Sequence, residues 1–248
     1  MNSCIVYEDD EILLLNKPAG IVVNRADTTR HMLTVQDWFE GKTGISYSEG
    51  DVDPTDFYKR GGVVHRLDKE TSGILILAKT ETAFIKLQEQ FKERTVKKIY
   101  RAFAHGEIKL REGEIHAPVG RLPWNRTRFG ILPDGRESVT RYKVLSYHFN
   151  RTKKERLTYV ELYPQSGRTH QIRVHLKHIN HPIFADFLYA GRKTSRDDRK
   201  VLDRVFLHAA AISFVHPRSG EFVSFESSLP TELQKCIDLF PQISSTTE

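Results

Sequence analysis

The chain has 248 residues, 39% hydrophobic and 28% charged, an ordinary globular composition that excludes general disorder. Its longest aliphatic run, residues 74–78, has strand length and falls far short of the roughly 20 residues of a membrane span. The net charge of +6 is uneven: residues 1–56 hold 4 Lys+Arg and 11 Asp+Glu (−7), and residues 57–248 hold the other 34 and 21 (+13), an asymmetry that hints at a polyanionic partner.

Residues 5–15, IVYEDDEILLL, read as a hairpin with Glu8, Asp9, Asp10 and Glu11 at its turn. Pro18-Ala19-Gly20 is a turn and Ile21-Val22-Val23 a short strand. Residues 34–39 open a helix, and residues 41–60, rich in Gly, Ser and Asp, form a long loop. In residues 61–80, GGVVHRLDKETSGILILAKT, two apolar runs flank a polar center, which predicts strand, loop, strand. Ala83, Phe84, Leu87 and Phe91 share one face of a helix over 80–94. KKIYRAFAHGEI leaves that helix as a strand, short strands and turns fill 115–147 with a turn at 132–135, and RLTYVELYP alternates as a strand. After a turn at 165–167, residues 169–179 have helical spacing, with Ile172, Leu176 and Ile179 as the apolar stripe. Arg173 lies about 100° around from Ile172, at the border of that face. Residues 205–215 and 221–226 make a closing hairpin, and 241–248 a frayed tail. Strands and helices intersperse without a βαβ rhythm, which predicts an α+β fold with a mostly antiparallel or mixed sheet, in one domain over 1–240.

Several chemistries lack their signatures: there is no P-loop, no GxGxxG after a strand and no GxSxG elbow. Cys4 and Cys236 stand too far apart for a CxxC metal knuckle, and acids precede the first apolar stretch, so no signal peptide is expected and the expected location is cytoplasmic. His170, His175, His178 and His181 crowd one region, but no Cys or acid falls among them, so histidines exposed on a helix or bonded to backbone explain them better than a metal site. Lys17 precedes a proline turn and reads as exposed, with nothing to activate its amine.

Asp68 is the residue to explain. It sits where an apolar strand meets a loop, ahead of a second, wholly apolar strand, so it needs either a partner or a task. From composition alone, a turn cap through Thr71 and Ser72 is the commoner reading. The residues around it weigh the other way. His65-Arg66-Leu67-Asp68-Lys69-Glu70-Thr71-Ser72-Gly73 resembles the HRLDxxTSG signature of RluA-like pseudouridine synthases. Asn16-Lys17-Pro18-Ala19-Gly20 resembles that family's entry block, and Lys98-Ile99-Tyr100-Arg101-Ala102 its K-x-Y-x-A block. Residues 167–175, GRTHQIRVH, resemble a third block; His181-Pro182-Ile183 with Asp186 and Tyr189, and Leu207-His208-Ala209, resemble the C-terminal ones. The resemblance spans about residues 6 to 230.

The resemblance implies a pseudouridine synthase fold, a central curved, mostly antiparallel mixed sheet with flanking helices and a basic catalytic cleft. It implies isomerization of uridine to pseudouridine in RNA, without cofactor or metal. Asp68 would be the catalytic carboxylate, ionized, by a nucleophilic or a glycal route. Arg173 would be its basic partner, lowering its pKa, against the bland reading of a surface helix arginine. Tyr100 would stack on the base and serve proton transfer, against the reading of an inward strand tyrosine. Arg66 would fill the space of the flipped nucleotide, with His65 and Arg168 weaker candidates. The basic loop 124–136, with Arg126 and Arg128, is expected to touch RNA, while the aromatics at 91, 100 and 103 are expected in the core. The expected partner is large-subunit rRNA or tRNA, with no membrane, and a monomer in the absence of a dimerization signature. The alternatives are a noncatalytic RNA-binding protein on the same scaffold and a hydrolase using Asp68 with the histidines.

Overall fold

The computed structural model describes residues 1–26, 31–45 and 55–244. The chain elements begin with β1 (Ile5–Glu8), β2 (Ile12–Lys17), α1 (Val35–Thr43), α2 (Asp56–Lys59), β3 (Ser72–Ala78) and α3 (Glu81–Glu93). Next come β4 (Lys97–His105), β5 (Glu112–His116), β6 (Val119–Arg121), β7 (Phe129–Ile131), β8 (Val139–Asn150) and β9 (Glu155–Pro164). The chain finishes with α4 (Gln171–His178), α5 (Arg192–Asp198), β10 (Leu207–Val215), β11 (Phe222–Glu226), α6 (Thr231–Asp238) and β12 (Gln242–Ile243). The fold is α+β, as expected, and divides into two compact units: Met1–Lys97 with Ala211–Ser227, and Lys98–Ala210 with Ser228–Glu248. No helix among the described residues is long and apolar enough to cross a membrane.

In the first unit β1, β2 and β3 pair antiparallel, and β10 pairs with β11 from Ala211 onward. The expected 5–15 hairpin forms because Asp9 Oδ1 accepts the amides of Glu11 and Ile12, closing the turn. Every residue of β3 is buried, as is Ile12 through Leu15 of β2, so both strands read as continuous apolar runs. Helix α1 starts at a capping box in which Thr34 and Asp37 satisfy each other's amides. Helix α3 buries Ala83, Phe84 and Leu87, with Phe91 half-buried at its edge.

Two expected strands of this unit do not form, each because its backbone is engaged otherwise. Residues 21–23 do not extend into a strand; the carbonyls of Val22 and Val23 accept the amides of Val35 and Gln36 at 2.9 and 3.0 Å, feeding the free N–H groups that open α1. Residues 61–64 contribute only a bridge from Val63 to Leu77. Gly61 and Gly62 take φ of +51° and +73°, which curls the chain, and a Cβ on Gly62 would lie 2.2 Å from the Ala78 carbonyl. Of the loop expected over 41–60, residues 46–54 lie outside the described residues, while residues 41–43 continue α1 and residues 56–59 form α2.

In the second unit β4, β9 and β8 pair antiparallel, with β5 and β12 both on β8, and β6–β7 is a separate two-stranded ribbon. Phe103 of β4 is fully buried and meets the rings of Phe184, Phe206 and Phe240 at 5.9, 5.4 and 5.7 Å. Each such ring contributes about 2–3 kcal/mol of burial. Helices α5 and α6 were not expected. Only α6 shows a signal, with Leu233, Cys236 and Ile237 buried at helical spacing; in α5 the buried residues are Ser195 and Asp198, and no apolar period exists to read. Within the expected tail, Gln242 and Ile243 pair with His148 and Tyr147 of β8, and residues 245–248 lie outside the described residues.

Candidate active site

In the first unit the loop 64–71 carries Arg66, exposed, and Asp68, half-buried. Its far end is a turn in which the Thr71 amide donates to the Asp68 carbonyl at 3.1 Å. Gly73, at φ +114°, then turns the chain into β3 opposite Lys17. His65 anchors the near end, its Nε2 accepting the Ile76 amide at 3.1 Å and its ring stacked on Phe91 at 4.8 Å.

The brace of this loop is Lys17, which the sequence placed at the surface. It is fully buried, and its Nζ donates to the carbonyls of Pro18, Ile21 and Lys69 at 2.8, 3.0 and 3.3 Å. The Gly20 amide also donates to Lys69 O at 2.8 Å. Two donors from the Asn16–Gly20 block thus hold the residue after Asp68. Sequence reasoning missed this because a lysine beside a proline turn reads as solvated until the carbonyls that surround it are assembled. Lys17→Met keeps the volume and removes the donor from three carbonyls; a loss of about 3 kcal/mol is expected, with faster hydrogen exchange at the Gly20 and Thr71 amides. Unchanged protection of both amides would show that Lys17 does not anchor the loop.

In the second unit Tyr100 is half-buried on β4, opposite Leu162 of β9, and packs against the core. Lys98, two residues earlier, donates to the Ser166 carbonyl at 3.2 Å. The turn it reaches is organized by buried Gln171, whose Oε1 accepts from Ser166 Oγ and the Arg168 amide and whose Nε2 donates to Val139 O and Thr140 Oγ1. Arg168 is half-buried in that turn. Arg126 is exposed and Arg128 half-buried in the β6–β7 connection, where Trp124 is also exposed.

Arg173 departs from its expected place at the border of a helix face: it is buried, as are its neighbors on both sides. The reason is a partner that sequence reasoning did not assign. Arg173 Nε and Nη2 each donate to a carboxylate oxygen of Asp186 at 2.8 Å, a bidentate pair in which Asp186 is fully buried. Asp186 Oδ1 also accepts the amides of Leu188 and Tyr189, and the Arg173 guanidinium lies 5.0 Å above the Tyr189 ring. Tyr189 continues outward: its hydroxyl accepts the Phe129 amide and bonds His170 Nδ1. His175 and His181 are likewise engaged, with Ala117 O and His105 O, in line with the backbone-bonded reading of these histidines.

The segment carrying Asp186 is itself braced. Ala185 takes a left-handed φ of +59°, a conformation that costs a non-glycine residue about 1 kcal/mol or more. Its amide donates to Asp198, which also accepts from His105 at 2.9 Å and Lys153 at 2.7 Å. Burial works against a charge on His105, but the hydrogen bond to Asp198 and the nearby carboxylates of Asp198 and Glu155 outweigh it and push its pKa up to about 9. The raised value means that this contribution is complete below the unfolded pKa near 6.5 and is lost as pH rises toward 9. About 3 kcal/mol of stability is expected to disappear over that window. Urea unfolding of wild type and His105→Gln across it tests this; equal slopes in the two proteins would exclude the His105 contribution.

Comparison with known proteins matches the RNA pseudouridylate synthase model to residues 11–178. The chain belongs to the RNA pseudouridylate synthase family. It is 40% identical over 236 residues to ribosomal large subunit pseudouridine synthase D of Neisseria meningitidis serogroup B, covering 92% of this chain and 59% of that protein. It therefore spans about three fifths of that relative's length. An uncharacterized RNA pseudouridine synthase of Bacillus subtilis is 37% identical over 238 residues, covering 96% of this chain and 73% of its own. Among solved structures, human RNA pseudouridylate synthase domain containing 1 superposes with a TM-score of 0.72 at 27% identity, over 98% of this chain and 90% of that one. The family match encloses Lys17, Asp68, Tyr100 and Arg173 and ends at the last residue of α4, before Asp186.

Proposed function

We propose that this chain isomerizes uridine to pseudouridine in RNA, with large-subunit rRNA as the first substrate class to test. The observation that carries the reading is the family match across residues 11–178, which takes in the braced Asp68 loop. The rRNA class rests on the Neisseria relatives, which are ribosomal large subunit pseudouridine synthases. The N1–C1′ bond breaks with its electron pair going to N1, the uracil turns, C5 bonds to C1′, the C5 hydrogen leaves as a proton, and N1 takes one up. Asp68 supplies the ionized carboxylate that acts at the sugar. Tyr100 stacks on the base or moves a proton, Arg173 is the basic group of the center, and Arg66, Arg168, Arg126 and Arg128 contact RNA. The target nucleotide leaves its stack, since C1′ is out of reach inside a helix.

Tritium release from transcripts labeled at uridine C5 tests this, because formation of the C5–C1′ bond expels that hydrogen. Release from large-subunit rRNA is expected. Release from tRNA alone would move the substrate class. Release from neither, with RNA binding retained, would favor a binding protein on the same scaffold.

A further inference from the structure

One cavity of the second unit is lined by an unbalanced set of charges. It has a volume of about 330 Å³ and lies between the β6–β7 ribbon, the turn that follows it and residues 167–169. That volume is at the small end of ligand sites. Three arginines line it, Arg121, Arg136 and Arg168, against one carboxylate, Asp134.

Each arginine is held by backbone structure. Arg121 pairs with Phe129 across the ribbon and lies 5.3 Å over the Phe129 ring. Arg136 bridges Val119, exchanging both backbone hydrogen bonds at 3.0 Å. Arg168 sits in the turn fastened by Gln171. The wall between them is main chain: a Cβ on Gly135 would lie 2.9 Å from Val119 C and from Leu132 O, so the turn packs without side-chain bulk. Three guanidiniums carried on fixed backbone around a nucleotide-sized hollow are a recognition geometry for phosphate, which the planar fork binds bidentately. The cavity is also mechanically tied to the candidate active site of this unit. Phe129 lines it, and the Phe129 amide donates to the hydroxyl of Tyr189, over whose ring Arg173 lies.

We propose that this cavity is a phosphate subsite for RNA, in which Arg121, Arg136 and Arg168 seat one backbone phosphate and its ribose next to the segment that holds Arg173. The identity of the polyanion as RNA rests on the proposed function; the anion site itself does not. A single phosphate that needs all three arginines to be seated has a specific consequence. Arg121→Gln and Arg136→Gln should each weaken binding about tenfold, and each should lower the log–log salt slope by about 0.7, one single-strand phosphate contact. The double variant should lower the slope by about 0.7 once, not twice. Asp134→Asn should act in the opposite direction and tighten binding.

The probe is a fluorescein-labeled single-stranded RNA of about 12 nucleotides, read by anisotropy from about 50 to about 200 mM salt. Arg151→Gln, exposed in the β8–β9 turn, controls for a general loss of charge and should leave the slope unchanged. Slopes unchanged in Arg121→Gln and Arg136→Gln, an equal drop in Arg151→Gln, or additive drops in the double variant would each overturn the subsite. The same proteins enter the tritium assay. Absence of release by wild type with the expected slopes would remove the isomerase reading and leave the phosphate subsite standing. Release by wild type with unaltered slopes would do the reverse.

Discussion

Asp68→Asn is expected to reduce tritium release by at least about 10⁴-fold, the scale on which enzymes lose activity when the attacking group is removed. The substitution keeps shape and removes only the charge that acts at the sugar. Folding should survive, because the loop is held through main-chain groups: the Asp68 carbonyl accepts from Thr71, and the Lys69 carbonyl accepts from Lys17 and Gly20. RNA affinity should stay close to wild type, since the phosphate contacts proposed above involve other residues. Release within tenfold of wild type would remove Asp68 from the chemistry. A large loss of RNA affinity would instead place its role in binding.

Asp186→Ala is expected to destabilize the protein by about 3–5 kcal/mol, the scale for removing one partner of a buried ion pair. It leaves the Arg173 guanidinium without its bidentate partner and the amides of Leu188 and Tyr189 without their acceptor. Arg173→Ala should cost a similar amount by stranding a fully buried carboxylate. Paired apolar replacement, Arg173→Met with Asp186→Leu, should recover part of that stability, since buried pairs are often replaceable by apolar residues of similar volume. It should not recover turnover if Arg173 is a catalytic group. Chemical unfolding and tritium release on the same four proteins separate the two contributions. A loss below about 1 kcal/mol for Asp186→Ala would mean that the pair is solvated and positions nothing.

Both expectations involve residues that the sequence treated unequally. Asp68 was legible because its block is long and specific, and because a carboxylate ahead of a wholly apolar strand invites explanation. Asp186 was visible only as one residue of a C-terminal block. Its burial follows from the left-handed turn at Ala185 and from Asp198, which closes that turn from a helix with no apolar period. Lys17 was assigned to solvent because the three carbonyls around its ammonium come from residues 18, 21 and 69. The first two lie in the same turn, and the third arrives only when β2 pairs with β3.

By itself the sequence determined the local elements whose signals are local: the turn at Asp9, the start of α1, the apolar face of α3, the apolar run of β3, the alternation of β9 and the turn at Gly135. Periodicity and turn chemistry act within a few residues, so a linear reading captures them. The family motifs were likewise linear and named Asp68, Tyr100 and Arg173. Tertiary structure alone decided what each polar group meets. It turned Gly61 and Gly62 away from a strand, buried Lys17 against a distant carbonyl, gave Arg173 to Asp186, and gathered Arg121, Arg136 and Arg168 around one cavity. A buried polar group takes whichever partner the fold supplies, because leaving it unpaired costs more than almost any local preference.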